Sequence, residues 1–395
     1  MKFNYTALVL AFLIGVLIFI SPPFVMSLDI SAFIRIPMLC MITLFFLLHV
    51  VKKKKFVYFY LPFISFFVIE VFYWKMTGNS LEGASYFLTY VILIISVLLS
   101  IHRIKNCKIL IVNFYFWLIL ITSVLCIISF LAFNLNLLPY SYRPIGGDEG
   151  YKYFYFPILG YINAKNFDST VIGRACGYLF EPSYMGWFLT ANFFLISKFL
   201  KNKKKIFFVQ LIVFMGALST MSTMMWLVFF IVFGIATLYL ILRWAGMQEK
   251  MICMILFVIF FLGFMLIPKD KIIESLGPSS SDDREERVGV SFLLIASASP
   301  LDLLLGRSPG YLEKKFDKGE SNQIIKLLVE NGIISTVLVL IFVIYFTYKS
   351  KWFMIANLLF LNSVVILFTP LFMFNILICK WLNEIEEGSN EVSMK

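Results

Sequence analysis

The residues best suited to chemistry fall in two stretches. In the first, Arg174-Ala-Cys-Gly177-Tyr178-Leu-Phe-Glu181-Pro182-Ser183-Tyr-Met-Gly186 leads directly into an apolar run. A guanidinium offers a planar fork that matches phosphate or carboxylate oxygens, and a carboxylate close by can take a proton from a hydroxyl. Pro182 suits the first turn of a helix, which would set Glu181 at the mouth of that helix. The same two charges also fit a plainer role, with Arg174 anchored at lipid headgroups and Glu181 complementing the helix N-terminus.

The second stretch is longer. Asp282-Asp-Arg284-Glu-Glu-Arg287 opens a segment with helical spacing through Ser291 to Ser297, followed by Ser299-Pro300 and Leu305-Gly306-Arg307-Ser308-Pro309-Gly310. Ser321-Asn322-Gln323-Ile-Ile-Lys326-Leu-Leu-Val-Glu330-Asn331-Gly332 then places apolar positions as a helix docked on a membrane surface would. Gly306 and Gly310 permit tight turns beside a ligand. The charges at 282–287 also read as a solvated helix start with intrahelical pairs.

Both stretches must be positioned by a membrane. Of the 395 residues, 61% are hydrophobic and 14% charged, against roughly 25% charged in a soluble domain. Apolar runs near bilayer length recur at 4–21, 33–51, 56–74, 84–101, 109–133, 180–199, 206–220, 223–242, 251–267, 333–348, 352–367 and 369–383, giving an all-α integral membrane protein of about 12 transmembrane helices in a single polytopic domain, 1–395. Met1 to Ser21 lacks a small-x-small cleavage pattern and reads as the first, retained helix.

The net charge of +11 is carried by short basic runs between apolar stretches, such as Lys52 to Lys55 and Lys198 to Lys205, with no basic stripe of the kind nucleic acid requires. Those runs put both termini on the cytoplasmic side by the positive-inside rule. Two external segments are far longer than the other connections, 134–179 and 268–332, which puts the working surface outside.

No His/Cys/Asp/Glu cluster has metal-site spacing, so neither a metal nor a soluble cofactor is expected. The six cysteines form no CxxC pair and read as packing residues, Cys176 lying near an external loop. Tyr140, Tyr142, Tyr151, Tyr153, Tyr155 and Tyr161 in the first loop suit either interfacial anchoring or stacking on the ring of a ligand.

Arg-x-x-Gly-x-x-x-Glu-Pro-Ser before a span, Arg with Ser-Pro and Leu-Leu-Gly-x-Ser-x-Gly in the second loop, and Asn with Leu-Leu and Glu-x-Gly-Ile after it together resemble the O-antigen polymerase and ligase superfamily. The motifs occupy about residues 174–186 and 284–333. The resemblance implies a bacterial inner-membrane protein whose two large loops are periplasmic, working on undecaprenyl-pyrophosphate-linked oligosaccharide in contact with membrane lipid. A chain-length regulator and a repeat-unit flippase are its implied partners.

Ligases of the superfamily commonly carry a histidine just before the Asn of the last motif, where this chain has Ser321. That departure favours the Wzy-type polymerase, a metal-independent glycosyltransferase of lipopolysaccharide biosynthesis, over the ligase. For the glycosyl transfer that the resemblance implies, guanidinium forks beside a pyrophosphate and a carboxylate beside an acceptor hydroxyl make Arg174, Glu181, Arg284 and Arg287 the catalytic candidates, with Arg143, Arg307, Asn322, Glu330 and Tyr178 as substrate-binding candidates. A flippase or transporter for the same lipid is the competing class, but it calls for ionisable residues within the spans, where few beyond Glu70 and His49 occur.

Overall fold

In the computed structural model the described residues are 68–78, 105–142, 152–167, 170–179, 181–244, 246–248, 289–316 and 322–393 except 365 and 368, with isolated positions 12, 15, 16, 19, 24 and 251. The expected spans at 33–51 and 84–101 lie outside them, as do most of those at 4–21, 56–74 and 251–267.

Helix α1 covers 68–76 and α2 covers Lys105–Asn134. Strands β1 (Ser141–Tyr142), β2 (Lys152–Phe156), β3 (Gly160–Phe167) and β4 (Thr170–Gly177) follow. The apolar run after Glu181 is broken into α3 (Pro182–Phe193) and α4 (Ile196–Phe199), and α5 (Lys203–Ser219) and α6 (Thr223–Trp244) come next. Then come α7 at 289–296, α8 (Pro300–Leu305), α9 (Tyr311–Phe316), α10 (Gln323–Thr347), α11 (Lys351–Phe360) and α12 (Pro370–Ser393).

Among the described residues three helices are long and apolar enough to cross a membrane: Lys108–Asn134 within α2, then α6 and α10. Their outward faces carry large apolar side chains, with Phe230 80% and Trp244 91% exposed. Such surfaces are stable only in lipid, so the chain is a membrane protein.

The interior inverts that pattern. Helix α3 is buried along nearly its whole length, with the Trp187 ring stacked on Phe372 of α12 at 5.7 Å. Some polar groups inside are paired between helices, which lowers the cost of holding them in a low-dielectric core. Trp187 Nε1 donates to Asn357 Oδ1 at 2.9 Å, and Tyr115 Oη donates to Asn375 Oδ1 at 3.0 Å.

At one end of the bundle, lysines from α2, α4 and the turn after α10 meet the acidic turn of α12: Lys108 with Glu384 at 2.6 Å, Lys198 with Glu386 at 2.9 Å, and Lys349 with Glu387. The opposite end carries the sheet. It is an antiparallel meander in the order β1-β2-β3-β4, with Tyr153 opposite Asn163 and Asn163 opposite Arg174.

This sheet is a correction to the all-α expectation. Phe154, Phe156, Ile162 and Ala175 point to one face and pack in the main core, while Tyr153, Tyr155, Tyr161 and Cys176 cluster on the other. The alternation is period two, which a strand satisfies and a helix does not.

Candidate functional site

Arg174 is fixed in place by the seating of β4 on α2. Asn134, the last residue of α2, grips both sides of the Gly173 peptide: its Nδ2 donates to the Gly173 carbonyl at 3.2 Å and its Oδ1 accepts from the Gly173 amide at 2.9 Å. Glycine is required there, because a Cβ would stand 2.2 Å from the Phe133 ring. Gly173 therefore lies flat on α2, and Arg174 next to it projects from the far face of the sheet.

The chain leaves β4 through Gly177, at φ +57°, and enters α3 at Glu181, the N-cap residue, with Pro182 in the first turn. Glu181 is exposed. Its Oε2 accepts from Ser183 Oγ at 2.9 Å, and it makes no capping hydrogen bond to the helix amides.

The second half of the site is a clasp between α8 and α10. Gly332 interrupts α10 with φ 74° and ψ 177°, a conformation closed to residues with a Cβ. The kink frees two carbonyls that an unbroken helix would have engaged, and the 307–308 backbone takes them instead. Arg307 N donates to Val329 O at 3.1 Å, and Ser308 N donates to Glu330 O at 2.9 Å. The approach is so close that a Cβ on Gly306 would lie 2.2 Å from Glu330 O, and one on Gly332 would lie 2.3 Å from Leu304 O.

Around this clasp, α1 presents Glu70, Tyr73 and Trp74, which share one helix face by their spacing. Ser335 Oγ donates to Glu70 Oε1 at 2.6 Å, Tyr73 Oη donates to Asp302 Oδ1 at 2.8 Å, and Trp74 Nε1 donates to Leu305 O at 3.0 Å. Arg307 Nε lies 3.6 Å from Asp302 Oδ2, and its guanidinium sits 5.6 Å from the centre of the Tyr311 ring. Partial burial works to raise the Asp302 carboxyl. Hydrogen bonds from Tyr73 and Ser299 and the charge of Arg307 outweigh it, so Asp302 titrates below its ordinary range.

Glu330 is buried, and its Oε1 accepts from Leu312 N at 3.4 Å. Lys326 Nζ pairs with Glu313 Oε1 at 2.6 Å. Both halves lie at the end of the bundle away from the lysines, which α2 reaches with its C-terminus and α10 with its N-terminus.

Among the sequence candidates, Arg174, Tyr178 and Glu181 thus share the sheet-to-α3 junction, and Arg307 and Glu330 share the clasp. Asn322 turns its side chain into its own helix as the N-cap of α10, accepting from Ile324 N and Ile325 N at 3.0 and 3.1 Å. Arg143, Arg284 and Arg287 lie outside the described residues. Among the described residues no group of three or more His, Cys, Asp or Glu side chains is placed to hold a metal ion, and Cys126, Cys176 and Cys379 are free and buried.

Sequence reasoning passed over Asp302, Tyr73 and Trp74. Asp302 carried one readable signal, the Ser-Pro-x-Asp pattern of a capped helix start: Ser299 Oγ accepts from Asp302 N at 3.1 Å. The two aromatics carried none, because their partners lie more than two hundred positions away. No protein family, no curated protein and no solved structure matches this chain.

Proposed function

We propose that this protein is a surface-polysaccharide polymerase of the Wzy type in a bacterial inner membrane, with the sheet end facing the periplasm and both termini in the cytoplasm. It transfers a growing glycan from undecaprenyl pyrophosphate onto a lipid-linked repeat unit. The observation that carries the reading is the convergence of two polar segments at one end of an apolar bundle. One supplies Arg174 and Glu181, the other Arg307 and Glu330. The lysines at the other end, Lys108, Lys198 and Lys349, agree with a cytoplasmic assignment.

In the reaction, the acceptor sugar hydroxyl attacks the anomeric carbon of the donor. The bond from that carbon to the pyrophosphate oxygen breaks, its electron pair leaves with undecaprenyl pyrophosphate, and the hydroxyl proton passes to a carboxylate. Glu181 suits the role of base, being exposed at a helix mouth, whereas Glu330 is buried and already engaged by Leu312 N. Arg174, with Arg284 and Arg287, stabilises the charge that builds on the leaving pyrophosphate. Arg307 is held by Asp302 and Tyr311, so it orients lipid-linked substrate at the clasp. No metal or soluble cofactor takes part in this proposal, and a chain-length regulator and a repeat-unit flippase are its proposed partners.

The test is the surface-polysaccharide gel profile of a strain lacking the protein, complemented with wild type or with Glu181→Gln. A polymerase lacking its base leaves single repeat units on the lipid core with no ladder. Full polymer length with Glu181→Gln eliminates Glu181 as base. Bare core with long glycan stranded on the carrier in the deletion strain identifies a ligase instead, and repeat units trapped on the cytoplasmic side identify a flippase.

A further inference from the structure

The face of the sheet turned away from α2 carries Arg174, its one residue used in the chemistry above, and it holds two buried polar atoms with nothing to bond. Asn163 is 1% exposed. Its Oδ1 and the Nε of Arg174 are both fully buried and have no hydrogen-bond partner among the described residues. The two residues are directly paired across β3 and β4, and Tyr153 pairs with Asn163 from β2, so all three form one cross-strand row. An orphaned buried polar group costs about 1–3 kcal/mol, and two side by side on one face mark a place that a ligand completes.

Aromatic rings frame the row. Tyr155 and Tyr161 are paired one step along the ladder, with ring centres 4.9 Å apart. The Tyr178 hydroxyl donates to the Ile158 carbonyl, which bends that ring over the β2–β3 turn within electrostatic reach of Tyr155 and Tyr161. Tyr155, Tyr178 and Arg174 are half-buried, and Asn163, between Tyr153 and Arg174 in the row, is buried. Cys176 lies buried on the same face, packed with Tyr153 and Tyr161.

The chemistry of the orphans selects the ligand. Asn163 Oδ1 is an acceptor that needs a donor, and Arg174 Nε is a donor that needs an acceptor. A phosphate at neutral pH offers acceptors almost exclusively and would meet Asn163 Oδ1 with a like partial charge. A sugar hydroxyl donates one hydrogen bond and accepts another, and the C–H face of a pyranose suits an aromatic wall. We propose that the Tyr153–Asn163–Arg174 row, walled by Tyr155, Tyr161 and Tyr178, is a saccharide subsite. It holds one sugar ring of the glycan through a hydroxyl that donates to Asn163 Oδ1 and accepts from Arg174 Nε. The identity of that sugar as part of a repeat unit rests on the polymerase reading; the hydroxyl-binding chemistry of the face does not.

Isothermal titration of the full-length protein in detergent tests the subsite. One probe is surface-polysaccharide oligosaccharide released from the host strain by mild acid, and inorganic pyrophosphate is titrated separately. The oligosaccharide binds wild type saturably, and Asn163→Leu weakens it about tenfold, the loss expected for one hydrogen bond with its partner left unpaired. Arg174→Lys, which keeps the charge but loses the planar Nε donor, weakens it comparably. If Asn163→Leu does not fold, as its thermal midpoint would show, Arg174→Lys decides the matter. Oligosaccharide that fails to bind wild type, or binds a folded variant equally well, overturns the proposal. So does pyrophosphate binding that is lost in Asn163→Leu.

The gel profile of the deletion strain keeps the two ideas apart. A ladder lost on deletion with a flat titration removes the subsite and leaves the polymerase reading standing. Saturable oligosaccharide binding in a protein whose deletion leaves the ladder intact supports the subsite and removes the polymerase reading.

Discussion

Replacing Gly332 by alanine tests whether the clasp holds the second half of the site together. The native φ of 74° with ψ of 177° lies in a region essentially reserved for glycine, and forcing another residue there costs about 1–3 kcal/mol. The new Cβ would stand 2.3 Å from Leu304 O and 2.6 Å from the Gly306 amide, both backbone atoms that cannot rotate aside. Relief requires α8 to withdraw from α10, which breaks the Arg307 N–Val329 O and Ser308 N–Glu330 O bonds at about 0.5–1.5 kcal/mol each. The expected loss is therefore about 2–6 kcal/mol.

The assay is unfolding of the purified protein by sodium dodecyl sulfate titrated into mild detergent, read by tryptophan fluorescence. Gly234→Ala is the internal control, because Gly234 lies in helix α6 where an added methyl group would meet nothing within 4 Å. That change should be neutral or stabilising by up to about 1 kcal/mol. If Gly332→Ala destabilises no more than Gly234→Ala, the clasp does not hold α8 to α10 and the reasoning fails.

Three further outcomes follow from the same contacts. Asp302 titrates below its ordinary value of 3.8 in the folded protein, so its stabilising contribution is complete above that value and disappears as pH falls through the lower, folded one. The stability gap between wild type and Asp302→Asn, followed by the unfolding midpoint from pH 7 to pH 3, should be constant down to about pH 4 and narrow below it; a gap independent of pH rules this out. Trp74→Phe removes the donor to Leu305 O and should destabilise by about 1–3 kcal/mol in the same detergent titration, whereas an unchanged midpoint would show that α1 does not brace the clasp. Burial pushes the Cys176 thiol up, so a Cys176-only variant should resist maleimide at pH 7.5 in the folded state and react on unfolding, and prompt labelling of folded protein would place that thiol in water.

The helices were readable because lipid imposes one requirement, an apolar run closed by its own hydrogen bonds. The expected runs at 109–133 and 223–242 coincide closely with α2 and α6. The apolar positions around Lys326 and Glu330 announced a helix before the span at 333–348, and it continues into that span across Gly332. The sheet was the larger omission. Tyrosines of the first loop fit a membrane interface as readily as a strand, so composition concealed a signal that the alternation in Lys-Tyr-Phe-Tyr-Phe at 152–156 carried openly.

The site was legible as residue types and hidden as geometry. Arg174 and Glu181 stood out as charges beside a span, and Gly306 as a turn former. That Gly306 and Gly332 face each other through backbone contacts, that Asp302 takes its hydrogen bond from Tyr73, and that Asn163 lies opposite Arg174 are facts of tertiary pairing. Asn322 Oδ1 also caps α10, a role that its place in a motif did not announce.

The polymerase reading is tested most directly by the purified protein in proteoliposomes supplied only with undecaprenyl-pyrophosphate-linked repeat units from the host. The account predicts a ladder of lipid-linked glycans lengthening one repeat at a time, with undecaprenyl pyrophosphate released in step and no added metal or nucleotide required. Repeat units that remain single while the protein is folded, or that lengthen equally in liposomes without it, would contradict the account.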